Sequence, residues 1–385
     1  MSAGLTHRTG APMIVTPGER VPKDSPGRIA TLDGLRAISI LLVLTAHTVT
    51  TLRGLPQLRD SRVPGLFGDL GVRTFFVISG FLITTLLMRE RAKTGAISLR
   101  GFYVRRVFRI FPAFYVYLAA VGLFSWLGWF AVSRADFLFA ETYAMNYHHA
   151  DARAWQVGHL WSLAVEEQFY LIWPAVLMLV GTRGAKRVAI GTLLVVPVLR
   201  TAGWYLLPEL RDLSDSAFPY VADALAWGCA IALTRTELEA WPPYRALLAA
   251  RWFGVVPIFG VLALAVTRAE FNLPIGVTLG NLAIAVTIHR CVLHPHGTVG
   301  RLLESAPLVW LGTLSYSIYL WQQMWIDRHS DAWPNAFPVN IVGALLCGTL
   351  SYYLVERPIL RGYARLTARR KQRARASVPL PDRSR

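Results

Sequence analysis

Windows of roughly 18 to 23 predominantly apolar residues recur along this chain, and each is long enough as a helix to cross a ~30 Å hydrocarbon layer at ~1.5 Å per residue. Over 385 residues, 54% are hydrophobic and only 16% charged, where a soluble domain carries ~25% charge. The expected class is an all-α polytopic membrane protein. About ten spans are expected: Leu32 to Leu52, Leu70 to Met88, Ile110 to Phe130, His159 to Val180, Val188 to Leu207, Ala217 to Leu233, Trp252 to Thr267, Leu273 to His289, Pro307 to Asp327 and Phe337 to Val355.

The formal charge of +17 invites a nucleic-acid reading, but the basic residues lie in the loops between apolar runs. With the N-terminus inside, most of the 40 Lys and Arg fall in cytoplasmic segments, so both termini are expected in the cytoplasm. That sorting treats Ser133 to His149 as an external loop or re-entrant segment. Residues 1–28 hold Arg8, Arg20, Lys23 and Arg28 without a signal-peptide core and read as a cytoplasmic tail. Residues 29–358 form the membrane domain. Residues 359–385 carry the basic cluster ARLTARRKQRARAS and are expected to be a disordered cytoplasmic tail at anionic lipid head groups, with the bilayer and not nucleic acid as partner. The three Cys lack metal-ligand spacing, the His pairs at 148/149 and 294/296 have no carboxylate or Cys at ligand spacing, and no metal site is assigned. The oligomeric state has no signature in the sequence.

An ionisable side chain inside a span costs several kcal/mol unless it faces the bundle interior and finds a partner, so each one is a functional hypothesis. In DGLRAISILLVLTAHT, Arg36 and His47 are eleven residues apart, within ~20° of one face and about 16 Å apart along the axis. The competing structural reading is a snorkelling Arg with a packing His. In HLWSLAVEEQFYLIWP, His159, Ser162 and Glu166 share a face at i, i+3 and i+7, and Glu166 is expected at the depth of His47, where a carboxylate would hold the imidazole in its useful tautomer. Glu167 points about 100° away. Arg200 and Asp223 are expected to be mutual partners, as a structural clamp or a lining of the acceptor side. In LRGFYVRRVFRIFP, Arg106 and Arg109 share a face suited to phosphate, although Arg among aromatics at a helix entry is also an ordinary membrane anchor. Ser79 and Gly80, mid-span in FFVISGFLITT, point to close helix packing rather than a nucleophile.

Phosphate-binding Arg inside and a His/Glu pair further out describe a site with two mouths. It suits a donor with a phosphorylated head and a long arm, namely acyl-coenzyme A: head on Arg36, Arg106 and Arg109, thioester at His47, acceptor hydroxyl entering from outside. The motifs LDGLRAISILLVLTAH, LGVRTFFVISGFLI, FYVRRVFRIFP, HLWSLAVEEQFYLIWP, LSYSIYLW and VERP, in that order, make the chain resemble the acyltransferase-3 family of integral membrane O-acyltransferases from about Ile29 to Pro358. The resemblance implies transfer of an acyl group, expected to be acetyl from acetyl-CoA, to a carbohydrate of a surface or exported glycan, in the cytoplasmic membrane of a bacterium. It ties activity to Arg36, His47, Arg106 and Arg109, with Glu166 and Asp223 at matching motif positions. A small acceptor such as a macrolide is the alternative within that class, and a secondary transporter or flippase is the alternative outside it. Two departures stand out: Gln322 where many members carry His, and Arg73 where many carry Asp, which adds a cation on the acceptor side.

Overall fold

The computed structural model describes residues 29–376 apart from 53 and 267. The tail at residues 1–28 and the last nine residues lie outside the described residues. Leaving aside helices of six residues or fewer, the elements in chain order are α1 (Ala30–Thr51), α2 (Val63–Thr94), α3 (Leu99–Trp126), α4 (Arg134–Glu141), α5 (Leu160–Leu206), α6 (Phe218–Ala240), α7 (Pro242–Ala249), α8 (Val255–Ala265), α9 (Val277–Leu293), α10 (Ala306–Trp325), α11 (Val339–Ser351) and α12 (Arg357–Ala376). Among the described residues, seven helical segments are long and apolar enough to cross a membrane, or eight if the α7/α8 pair, bent by 74°, is one span. The chain is therefore an all-α, multi-pass integral membrane protein.

Local chemistry sets several boundaries. Gly95 ends α2 in the left-handed region (φ 78°), where its amide donates to the Arg91 carbonyl at 2.8 Å. Ser98 then starts α3 by accepting from the Gly101 amide at 3.1 Å. Ser133 and Asp136 form a reciprocal capping box that opens α4. At eight residues, α4 is far too short to span, so this stretch is a packed non-spanning helix. The 47-residue α5 is broken at Gly181 (φ 65°, ψ −177°). An unbroken helix of that length would be about 70 Å long, more than twice the hydrocarbon thickness, so the two halves run as separate segments. One expectation is corrected: through residue 376 the basic C-terminal stretch is helical, because Arg357, Arg361, Arg365 and Arg369 recur every fourth residue and leave a mixed apolar face on which Tyr363 stacks against Phe108 of α3 (4.8 Å between ring centroids).

Close helix approach rests on glycine. A Cβ at Gly80 of α2 would lie 2.0 Å from the Leu225 carbonyl oxygen of α6, and one at Gly228 would lie 2.1 Å from the Val77 oxygen. On the other side of the bundle, a Cβ at Gly312 of α10 would lie 1.8 Å from the Asp33 oxygen of α1. Gly80→Ala should therefore force α2 and α6 apart at a cost of ~3 kcal/mol. Thermal unfolding of the detergent-solubilised variant checks this; an unchanged midpoint would contradict the packing.

Two large apolar cores result, beside a small cluster of Tyr244, Leu248, Phe253 and Val286. One joins the N-terminal part of α1 (Leu32, Leu35) to α2, α5, α6 and α9; the other joins its C-terminal part (Ile40, Val43, Leu44) to α3, α10 and α11. Val72, Trp161 and Tyr316 pack against both. The polar side chains of α1, α2, α5 and α10 meet along that seam.

Candidate active site

At one end of the seam, Arg36 of α1, Arg106 and Arg109 of α3, and Glu166, Glu167 and Tyr170 of α5 line a cavity of about 600 Å³. The Arg106 guanidinium sits 4.5 Å from the Tyr170 ring centroid and 5.5 Å from that of Phe102, a cation held by aromatic faces. Arg109 Nη1 lies 3.7 Å from Glu356 Oε2, and Ser317 donates to the other oxygen of this nearly fully buried carboxylate. Tyr170 donates to Ser79 Oγ at 3.0 Å, and Ser79 donates to Glu166 Oε1 at 2.5 Å. These contacts fix side chains around the cavity, and ordering them before a ligand arrives lowers the cost of binding.

A second cavity of about 360 Å³ shares Arg36, Phe75, Leu163, Glu166 and Tyr316 with the first and adds Ser162 and Tyr319. Its wall is mostly apolar. Ser162 Oγ lies 2.6 Å from Tyr319 OH, and Tyr319 OH donates to the His159 carbonyl at 3.0 Å. Gln323 Oε1 accepts from the His159 backbone amide at 3.2 Å and lies 2.9 Å from His159 Nδ1, which orients the amide group. Its Nε2 faces His47 Nε2 at 3.5 Å, while His47 Nδ1 lies 2.7 Å from Gln322 Oε1. An amide oxygen only accepts, so the Nδ1–H tautomer satisfies this contact and leaves the Nε2 lone pair toward Gln323.

The structure thus joins Arg36, Arg106, Arg109 and Glu166 around one cavity and His47, His159, Ser162 and Tyr319 around a polar chain beside it. The expected contact of Glu166 with His47 is corrected. His47 is one turn from the C-terminal end of α1, whereas Glu166 is about 10 Å further along α5 than His159 and lines the same cavities as Arg36. The partner of the imidazole is Gln322, the residue that departs from the family pattern. Gln322 and Gln323 are both buried, and two consecutive amides in an apolar span were the signal for them. Ser79, Tyr170 and Glu356 also belong to this site. Glu356, the acid of VERP, was legible only as a charge at a span's end.

The remaining polar residues stand apart from both cavities. Arg200, 1% exposed, donates from Nη1 to Asp223 Oδ2 at 3.3 Å and to the Tyr220 carbonyl at 2.9 Å, and from Nε to the Leu273 carbonyl at 2.9 Å. With its partners all protein groups of α5, α6 and the approach to α9, this pair clamps three elements. Arg73 is buried, with Nε 2.8 Å from both carboxylate oxygens of Asp69 one turn earlier. It is a neutralised internal pair and does not present a bare cation to an acceptor.

A membrane-embedded helical bundle with an arginine-lined cavity and a half-buried histidine joined to its neighbour through a polar chain is the class that fold and site define. The chain belongs to the acyltransferase domain family, whose model matches residues 29–356. It is 28% identical over 371 residues to the peptidoglycan O-acetyltransferase OatA of Listeria monocytogenes, a match that covers 89% of this chain and 57% of that protein. It is likewise 28% identical over 394 residues to the O-acetyltransferase OatA of Staphylococcus aureus strain MRSA252, covering 91% of this chain and 61% of the relative. The chain thus spans little more than half the length of these curated relatives. No solved structure matches it.

Proposed function

We propose that this chain is a membrane O-acyltransferase that moves an acetyl group from acetyl-CoA to a hydroxyl of a cell-wall carbohydrate of the peptidoglycan type, in the cytoplasmic membrane of a bacterium. The observation that carries it is the grouping of Arg36, Arg106 and Arg109 around one cavity that shares a wall with the cavity of Ser162 and Tyr319, next to His47. The names of the relatives support the reaction and the acceptor. In this account residues 29–358 are the catalytic membrane domain, flanked by cytoplasmic segments 1–28 and 359–385. Counting the halves of α5 separately and adding the bent α7/α8 pair and α10 brings the crossings to ten, which leaves both termini on the cytoplasmic side.

Three guanidiniums recognise the phosphates of the donor, with Arg geometry suited to bidentate contacts. The arm then follows the seam toward His47, about 16 Å from Arg36 along α1. Gln322 holds the proton on Nδ1, and Nε2 takes the proton of the acceptor hydroxyl as its oxygen attacks the thioester carbonyl. The C–S bond breaks, and His47 returns its proton to the departing sulfur. Gln323 keeps the base in place until the hydroxyl replaces its weak 3.5 Å contact. Glu166, through Ser79 and Tyr170, holds the donor cavity in shape and balances its positive charge.

Labelled acetyl-CoA added to membranes that contain the protein tests the reading: release of coenzyme A should match label in alkali-labile glycan esters. Label that enters or crosses the membrane without release of coenzyme A would make the chain a transporter. Arg109→Ala should raise the donor KM with a smaller change in kcat; a change confined to the acceptor KM would reverse the assignment of the two mouths. Gln322→Leu should lower kcat roughly 100-fold by freeing the tautomer, and Gln322→Glu, which keeps an acceptor at Nδ1, should retain most of it. Equal loss in both variants would rule out the tautomer role.

A further inference from the structure

Beyond the helices, the external segments just before α5 and just after α10 build a small aromatic surface directly against His47. The His47 and Trp155 rings meet edge on, 5.6 Å between centroids at 74°. Trp155 is fixed, because its Nε1–H donates to the Ile326 carbonyl at 2.8 Å. Its other neighbours are the exposed Arg328, whose guanidinium lies 5.0 Å from the indole centroid, and the exposed His329, 5.5 Å away. Arg328 Nε donates to His329 Nε2 at 3.2 Å, and the His329 amide donates to Asp327 at 2.8 Å, so the loop carrying both is ordered.

Tryptophans that anchor a protein at the membrane interface point outward, as Trp126, Trp129 and Trp333 do, at 81%, 70% and 75% exposed. Trp155 is only half-exposed, and it borders the base instead of lipid. The cation of this pair is exposed, and at an exposed site such a contact holds it by only ~0.5–1 kcal/mol, so the guanidinium can be displaced at small cost. The apolar face of a sugar ring is the natural replacement on a fixed indole, and a displaced Arg then has a planar fork free for a carboxylate.

We propose that Trp155 and Arg328 form the acceptor subsite: a pyranose ring stacks on the Trp155 indole, Arg328 pairs with a carboxylate borne by that sugar, and the ring's free hydroxyl is brought to His47 Nε2. This rests on the acyltransferase reading and adds to it the class of acceptor, an acidic pyranoside. It also predicts that donor recognition is independent of both residues, since neither lines the arginine cavity.

The test is binding to the detergent-solubilised full chain by titration calorimetry, with three probes: de-O-acetylated glycan fragments released from peptidoglycan, which carry carboxylates; neutral N-acetylglucosamine oligomers; and coenzyme A. Trp155→Ala should weaken both glycans roughly tenfold, with Trp155→Phe close to wild type, and leave coenzyme A unchanged. Arg328→Ala should weaken the acidic fragments roughly tenfold and leave the neutral oligomers unchanged or slightly tighter. Equal glycan binding by wild type and Trp155→Ala would overturn the subsite while leaving the acyltransferase reading intact. If the wild type binds coenzyme A but neither glycan, the carbohydrate acceptor and the subsite both fall. Loss of coenzyme A binding in Trp155→Ala would mean that the residue is structural and would overturn the proposal, with Arg328→Ala as the independent check at a surface position.

Discussion

His47→Ala is expected to abolish acyl transfer while leaving the protein inserted and folded. The imidazole contributes a hydrogen bond to Gln322, a weak 3.5 Å contact with Gln323 and ring contact with Trp155, so its removal opens a modest polar gap and leaves helix packing through Ala46 and Val43 in place. General-base help is worth roughly 10² to 10⁴ in rate, and here the same residue also orients the attacking oxygen. Activity should fall by at least that range, with coenzyme A binding at the arginine cavity retained. The comparison of turnover with donor affinity in the purified variant decides it: near wild-type turnover would remove His47 from the chemistry.

The second large effect is structural. Asp223→Ala should leave buried Arg200 without its hydrogen-bonded carboxylate, with only the neutral groups of Tyr220, Leu273 and Thr278 in hydrogen-bond reach. Breaking one side of a buried pair costs ~3–5 kcal/mol, a large share of the ~5–15 kcal/mol that holds a typical fold together. The variant should accumulate poorly and melt at markedly lower temperature. Replacing both partners by Leu should recover most of the stability, because the cost lies in the orphaned charge. If the single variant were stable but selectively lost acceptor affinity, Asp223 would belong to the substrate path and not to a clamp.

The apolar windows were enough to read the class of fold, since few arrangements other than membrane helices accommodate them. The boundaries were less legible. The break at Gly181 was bracketed by the spans ending at Val180 and starting at Val188, but the helix at residues 357–376 depends on packing, and composition alone reads it as a basic tail. Within the site, Arg36 and Glu166 were visible as charges in spans, because hydrocarbon makes each of them costly, and Arg106 and Arg109 as a pair sharing one face at a helix entry. Their grouping followed from helical spacing only in part: counting residues from span ends placed Glu166 level with His47, and a few residues' error in where a span begins moved it by a third of the membrane. Gln322 and Gln323 carry no charge, so their cost in a span is small and their role emerged only from the crossing of α1 and α10. Trp155 was hidden among 13 tryptophans, six of which are exposed on the outside of the bundle.

The central claim is that one site is fed from two sides, by a phosphorylated donor at the arginine cavity and a hydroxyl at His47. Proteoliposomes of uniform orientation, with labelled acetyl-CoA confined to one side and de-O-acetylated glycan fragments to the other, test it directly. The account predicts ester-linked label on the glycan only when the donor is on the side of Arg106 and Arg109. Transfer that requires donor and glycan on the same side, or that proceeds equally from either side, would contradict it.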